Sequence, residues 1–366
     1  IFLLVYLLPF NFNIRLKVFR SSKLALLLIL FFFFNVVGLL WSENLAKGLL
    51  HIEIKSSLLL MPLLIFARPE LTKNWIKNIK LFFVTSTVLV ALFLLIRSFL
   101  IGYLNNGTWL VYGEFSPYFH PSYISMYFLL SMVFLFDKDN VPRFLKPTHY
   151  IALVLLGVSV FFLASKLNIL LLFLILLFFF VRYIKERFSK VAIYILSFAF
   201  LLATLSAVML NQSDFDRFNK GWETIKHPEA IQTDDTESNA ARIMIWRSAI
   251  DLAVENPFGV GTGDVNIELS KKYHQNGYAG IESKQLNAHN QFLQTSAAIG
   301  VFGMLLLILI MLVPFVQSFI SGDFVFSGFL LIAFSNALVE GILEAQAGVI
   351  FFAFFYSLLL RNAKSK

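Results

Sequence analysis

Residues 288–294 read AHNQFLQ, an imidazole and three amides set directly against an apolar run that continues to Val313. An imidazole with a pKa of about 6.5 can accept or release a proton at neutral pH. Read as a helix, Gln285, His289 and Leu293 share one face while Asn290 stacks on Gln294, more polar groups than a simple cap requires. Further on, Asn336, Glu340 and Glu344 recur at i, i+4 and i+8, which predicts an amide and two carboxylates along one helix face. Fixed cations accompany them. Arg97 and Lys166 stand at the ends of apolar runs, and Arg242 and Arg247 lie in a polar segment; His120 opens another apolar run in "YFHPSY". Arg offers a planar fork of donors and Lys a point charge, both suited to phosphate.

Ionisable groups within or beside apolar spans are costly and commonly face a cavity or one another. Each also has a plainer reading. Arg97 can snorkel, His120 can be an interfacial residue beside a helix-starting Pro121, and Glu340 and Glu344 can solvate a helix end. Other patterns carry less. GVGTGD, residues 259–264, follows a helix and joins no strand to a helix, so a turn is expected instead of a dinucleotide fingerprint. Ser213 before Asp214 and Asp216 reads as a helix start. Asp234, Asp235 and Glu237 are hard-cation ligand types without further spacing. HExxH, P-loop and GxSxG patterns are absent. The absence of Cys removes any disulfide framework, thiol nucleophile or Cys-ligated metal.

The elements that must hold these residues are membrane spans. The 366 residues are 58% hydrophobic and 14% charged, against roughly 25% charged in soluble domains. With a mean hydropathy of +0.76, the chain reads as an all-α polytopic membrane protein of about 10–12 transmembrane helices with one large external helical loop. Spans are predicted near 24–41, 49–67, 81–101, 119–136, 151–165, 167–181, 191–210, 290–317, 324–339 and 347–360. The opening IFLLVYLLPF reads as the tail of a truncated span, since it lacks the basic region and cleavage site of a signal peptide.

The net charge of +8 does not mark a nucleic-acid partner. Its basic residues concentrate in alternate loops, 11–23, 68–80, 137–150 and 182–190, and in the tail, the pattern of cytoplasmic segments. The polar stretch 211–289 then falls outside, where long segments translocate regardless of charge. Its length predicts internal helices. SNAARIMIWRSAIDLAVENP is expected to be amphipathic, capped by Ser238 or Asn239, with Ile243, Trp246, Ile250 and Ala253 on one face and Pro257 beyond its end. The expected organisation is an N-terminal bundle over 1–210, the external loop over 211–289 and C-terminal helices over 290–366. All the polar residues singled out above then lie at the external side.

On these residues the chain resembles a known family. ARIMIWRSAIDLAVENPFGVGTGDV followed by AHNQFLQTSAAIGVFGMLLLI resembles the O-antigen ligase and polymerase superfamily of bacterial inner-membrane glycosyltransferases. The shared pattern is Arg-x-x-x-Trp, the NPFGVG turn, and His-Asn-x-Phe-Leu leading into a span with IGVFG. HPSYISMY and VEGILEAQAGVIFF look like forms from the Bacteroidota. Members usually carry a Ser-Arg pair at the outer turn of a middle span pair; here it is Ser165-Lys166, a point charge in place of a bidentate fork.

The resemblance implies transfer of a glycan from polyprenyl (undecaprenyl) diphosphate to an acceptor hydroxyl on the periplasmic face. The acceptor would be lipid A-core, a glycan or a protein, with no cofactor, metal or nucleic acid. It further implies His289 as general base on that hydroxyl and Arg242 as a clamp on the diphosphate. Lys166, Arg247 or Arg97 would assist, Asn290 would contact substrate, and Glu340 or Glu344 would orient an Arg or hold the acceptor. A direct displacement would invert the anomeric centre. A ligase, a polymerase joining lipid-linked repeats and a protein O-glycosyltransferase all fit the motifs. A transporter would place polar groups at mid-membrane in paired broken helices, whereas here they gather at one surface.

Overall fold

The computed structural model describes residues 22–66, 72–137, 146–184, 239–284 and 286–364, and among these residues the regular structure is helical with no strand. Helix α1, Lys23–Val37, tightens into a 3-10 turn, Gly38–Trp41. Helices α2, Leu45–Lys55, and α3, Ser57–Phe66, form one bent rod with Pro62 inside its second half. Helix α4, Lys73–Arg97, ends in a wider π turn, Ser98–Tyr103. Then come α5, Pro121–Phe136, α6, Lys146–Phe162, and α7, Lys166–Ile184. The polar segment supplies α8, Asn239–Glu255, and α9, Val265–Gln275. Three helices close the chain: α10, Gln291–Ile320, α11, Phe324–Ala337, and α12, Gln346–Lys364.

Among the described residues, five helical stretches are long and apolar enough to cross a membrane: Lys23–Trp41, Leu45–Phe66, Lys73–Tyr103, Gln291–Ile320 and Gln346–Ala363. They coincide with the spans expected at 24–41, 49–67, 81–101, 290–317 and 347–360. The spans expected at 119–136, 151–165 and 324–339 fall on shorter apolar helices, and 167–181 falls on α7. A helix of 14 residues such as α11 covers about 21 Å, less than a hydrocarbon core of about 30 Å. Its shortness and that of α5 go with an interior position: every residue from Phe128 to Phe134 of α5 is buried, with α4, α6, α7, α11 and α12 packed around it. The span expected at 191–210, the N-terminal stub, the acidic motifs between 213 and 237 and the caps proposed at Ser238 and in the loop before it lie outside the described residues.

The polar segment is helical where it is described, and Pro257 follows α8 as expected. Its buried face differs from the expected one. Ala241, Met244, Ile245, Ala249 and Leu252 point inward, while Ile250 is exposed and Ile243, Trp246 and Ala253 are half-buried. The helix is apolar on two sides, so hydrophobicity alone does not choose between them. Close packing against α9 and α10 selects the side that carries small residues.

Helix α10 is broken near its start. Ile299 and Gly300 leave helical geometry (φ −129° and +81°), and the Val301 N–H turns to the Pro257 carbonyl at 3.0 Å. The carbonyls of Ala297 and Ala298 instead accept from Val260 and Gly261 N–H at 2.8 and 2.9 Å. The NPFGVG turn thus satisfies the backbone groups that the break releases, as buried amides require. Glycine is needed on both sides of this contact. A Cβ on Gly300 would stand 2.5 Å from the Pro257 oxygen, and one on Gly259 2.5 Å from the Ala298 oxygen. The same turn continues onto the α1–α2 corner, where the Asp264 carboxylate accepts from Glu43 and Asn44 N–H at 2.6 and 2.9 Å.

Candidate functional site

Helix α10 begins at Gln291, two residues after its polar cluster does. Asn290 is the N-cap, its Oδ1 accepting from Phe292 and Leu293 N–H at 2.9 and 3.1 Å, a position that Asn favours. His289 is therefore outside the helix, in left-handed backbone with φ +42°, and the shared face with Leu293 expected from helical spacing does not form. Gln285 lies outside the described residues. The bend at His289 is pinned on both sides. Its N–H donates to Asn287 Oδ1 at 3.0 Å, and Gln294 reaches back to accept from Ala288 N–H at 2.9 Å.

The second expectation that changes is the helical row Asn336, Glu340, Glu344. Helix α11 ends at Ala337, and 338–345 form a loop around Gly341, a residue with little helix preference. The three side chains consequently meet three different neighbours. Asn336 exchanges hydrogen bonds with Asn168 of α7 at 2.9 and 3.0 Å, fully buried. Glu340 turns to the site, its Oε2 lying 3.3 Å from His289 Nδ1 and its Oε1 3.4 Å from Arg242 Nη2. Arg242 also donates through Nη1 to the Val339 carbonyl at 2.8 Å. One carboxylate therefore joins the histidine of the α10 approach to the arginine of α8.

Burial pushes the Glu340 carboxyl upward, but the His289 hydrogen bond and the electrostatic pull of His120, His289 and Arg242 outweigh it and hold it below its ordinary range. Ser122 of α5 adds a long contact from Oγ to Glu340 Oε1 at 3.5 Å. The carboxylate is thus ionised at neutral pH and can only accept, so the Nδ1 hydrogen of His289 points to it. This fixes the lone pair of His289 on Nε2.

Glu344 belongs to a separate, buried group. Lys55 Nζ lies 3.1 Å and His51 Nδ1 3.6 Å from Oε2, while Gln291 Nε2 donates to Oε1 at 2.9 Å. Gln291 Oε1 accepts from Leu343 N–H at 2.7 Å, and Asn290 Nδ2 donates to the Leu338 carbonyl at 3.0 Å. The loop carrying Glu340 is therefore fastened at both ends to the first turn of α10. The positions of His51 and Lys55, four apart in an apolar stretch, are the sequence signal that could have revealed this anchor.

The remaining cations stand apart from Glu340. Arg97 Nη1 donates to the Glu114 carbonyl at 2.6 Å. Lys166 is exposed at the start of α7, after Ala164 in left-handed backbone (φ +49°). Arg247 is exposed five residues beyond Arg242 on α8, and among the described residues neither it nor Lys166 has an ion-pair partner. His120, by contrast, is brought in. It caps α5, with Pro121 in the first turn, and lies within charge range of Glu340, His289 and Arg242. Among the described residues, the non-glycine residues with positive φ are Tyr112, Ala164 and His289. Two flank this cluster and one precedes Lys166, and such backbone strain is typical of functional sites.

Residues 151–308 match the family described as O-antigen ligase; no curated protein matches the chain significantly. The matched segment contains Lys166, Arg242, the NPFGVG turn, His289 and the break in α10. Over residues 151–308 the chain is similar to the O-antigen ligase family, and its helices make it an all-α multi-pass membrane protein.

Proposed function

We propose that the protein transfers a glycan from polyprenyl diphosphate to an acceptor hydroxyl at the periplasmic face of the inner membrane, as an O-antigen ligase. The observation that carries this reading is Glu340 binding His289 and Arg242 at once. His289 Nε2 accepts the proton of the acceptor hydroxyl as its oxygen attacks the anomeric carbon. The bond from that carbon to the diphosphate breaks, the electron pair leaves with the carrier, and the anomeric configuration inverts. Arg242 keeps N–H donors beyond those on Val339 and Glu340 and directs them to the leaving diphosphate, whose growing charge needs fixed cations. Exposed Lys166 and Arg247 extend that positive rim, Arg97 holds the Tyr112–Phe115 turn, and Asn290 shapes the floor. Glu344 fixes the loop from behind. In this reading the cations carry the diphosphate charge without a metal.

The test is the fate of lipid-linked glycan in a deletion strain complemented with wild type or His289→Ala. A ligase leaves long, multi-repeat chains on the carrier, which wild type clears and His289→Ala does not. Single repeats accumulating instead would assign polymerisation to the same site. Unchanged carrier-linked glycan would reject glycan transfer altogether.

A further inference from the structure

The two histidines of the cluster are held with opposite hydrogen-bond character. His289 gives Nδ1–H to Glu340 and keeps a lone pair on Nε2. His120 is the reverse, because its Nδ1 faces the Ser122 N–H at 3.4 Å and accepts from it as the helix cap. Burial holds its pKa below the ordinary value, and His289 and Arg242 add to that against the pull of Glu340. The neutral ring must then carry its hydrogen on Nε2. That atom meets the Tyr112 hydroxyl at 3.5 Å, a contact too long to satisfy a good donor. The ring is kept from turning by Tyr112 and Tyr123, each edge-on with centroids 6.2 Å away.

We propose that His120 is a substrate-touching residue whose Nε2–H donates to a phosphoryl oxygen of the carrier diphosphate. This rests on the function proposed above and deepens it. Ser122, two residues beyond His120, has its Oγ 3.5 Å from the same Glu340 oxygen that Arg242 holds at 3.4 Å, so an oxyanion on Arg242 comes to the start of α5. A donor to an oxyanion is about twice as strong as one to a neutral acceptor. The sequence makes the residue look like a cap alone, because Pro121 follows it and the cap is real. Only the placement of α5 against the 338–345 loop, through Ser122 on Glu340 and the Tyr123 hydroxyl on the Gly341 carbonyl at 3.3 Å, brings the ring to the site.

Asn and Gln separate the two duties of the ring. His120→Asn keeps an acceptor where Nδ1 stands, and Asn is a strong N-cap, but nothing reaches the Nε2 position. His120→Gln reaches it with an N–H donor. Binding of glycan-free polyprenyl diphosphate to the purified full-length protein is the readout, together with donor and acceptor KM and thermal unfolding. The expected result is His120→Asn folded like wild type but binding the carrier about tenfold or more weakly, with donor KM raised and acceptor KM unchanged. His120→Gln should bind better than His120→Asn. Equal carrier binding by wild type and His120→Asn would leave the residue a cap and overturn the proposal while glycan transfer stands. So would a loss in His120→Gln as deep as in His120→Asn, or a change confined to acceptor KM. A wild type without affinity for the carrier would overturn both.

Discussion

Glu340 illustrates at the residue scale how one carboxylate can serve two partners. Its two oxygens face different residues, so replacing it disturbs both the imidazole and the guanidinium. General-base catalysis is worth about 10²–10⁴-fold. Glu340→Gln keeps the shape but loses the charge that holds Nδ1–H, and is expected to lower kcat by about tenfold or more, short of losing the whole general-base contribution. Steady-state transfer with the donor saturating checks this. The same charge has a stability signature. Because its native pKa lies below the ordinary 4.5, the ionised group contributes stability that is complete above the unfolded-state pKa. That contribution is lost as pH falls through the lower native value. Thermal unfolding followed from neutral pH down through 4.5 should therefore fall more steeply for wild type than for Glu340→Gln. Parallel curves would mean that the pairing with His289 and Arg242 adds nothing to the fold.

At the scale of elements, the site depends on α2, α10 and the 338–345 loop before α12 meeting in one place, and the Lys55–Glu344–Gln291 group is what joins them. Both charges are nearly buried, with side-chain exposures of 5% and 9%. Removing one partner from a buried pair commonly costs about 3–5 kcal/mol because the other is left uncompensated. Lys55→Met is expected to destabilise by about that amount, and Lys55→Met with Glu344→Gln to recover much of it, since the amide still accepts from Gln291. Thermal unfolding of the detergent-solubilised variants decides it; a double variant no better than the single one would show that packing, not charge, holds the helices. These elements differ in how far the sequence discloses them. The start of α10 is legible because polar residues abut an apolar run, and the α6–α7 turn because SKLN interrupts one. Helical spacing alone carries α10 back through His289 and α11 on through Glu344, which the structure does not, since Asn290 as a cap and Gly341 as a breaker are single residues that outweigh periodicity. Contacts such as Asp264 with Glu43 and Asn44, more than 200 positions apart, leave no local pattern, and His51 and Lys55 acquire meaning only when Glu344 is opposite.

For the whole molecule, the side-chain links sort into two levels. Lys80 pairs with Asp137 at 3.3 Å, and Arg361 donates to the Ile65 carbonyl at 2.6 Å. These residues flank segments that charge alternation assigns to one side. Arg97 and His120 stand at the opposite ends of α4 and α5 from these, and Glu340, which joins His289 and Arg242, precedes the opposite end of α12. Such a separation of ends is expected of helices that run from one aqueous face to the other. The natural absence of Cys makes orientation directly testable without first removing any thiol. Gln275, on α9, and Ser321, after α10, are both exposed and lie on opposite sides of a 30-residue helix. Gln275→Cys should react with a membrane-impermeant maleimide applied to the periplasmic side of intact cells, and Ser321→Cys only after permeabilisation. The reverse pattern would put His289 and Glu340 in the cytoplasm. There nucleotide-activated sugars are the ordinary donors, and a base waiting for glycan on a translocated lipid carrier would have nothing to act on. Labelling from the outside at Gln275→Cys alone would leave the site facing the compartment that the proposed transfer from a lipid carrier requires.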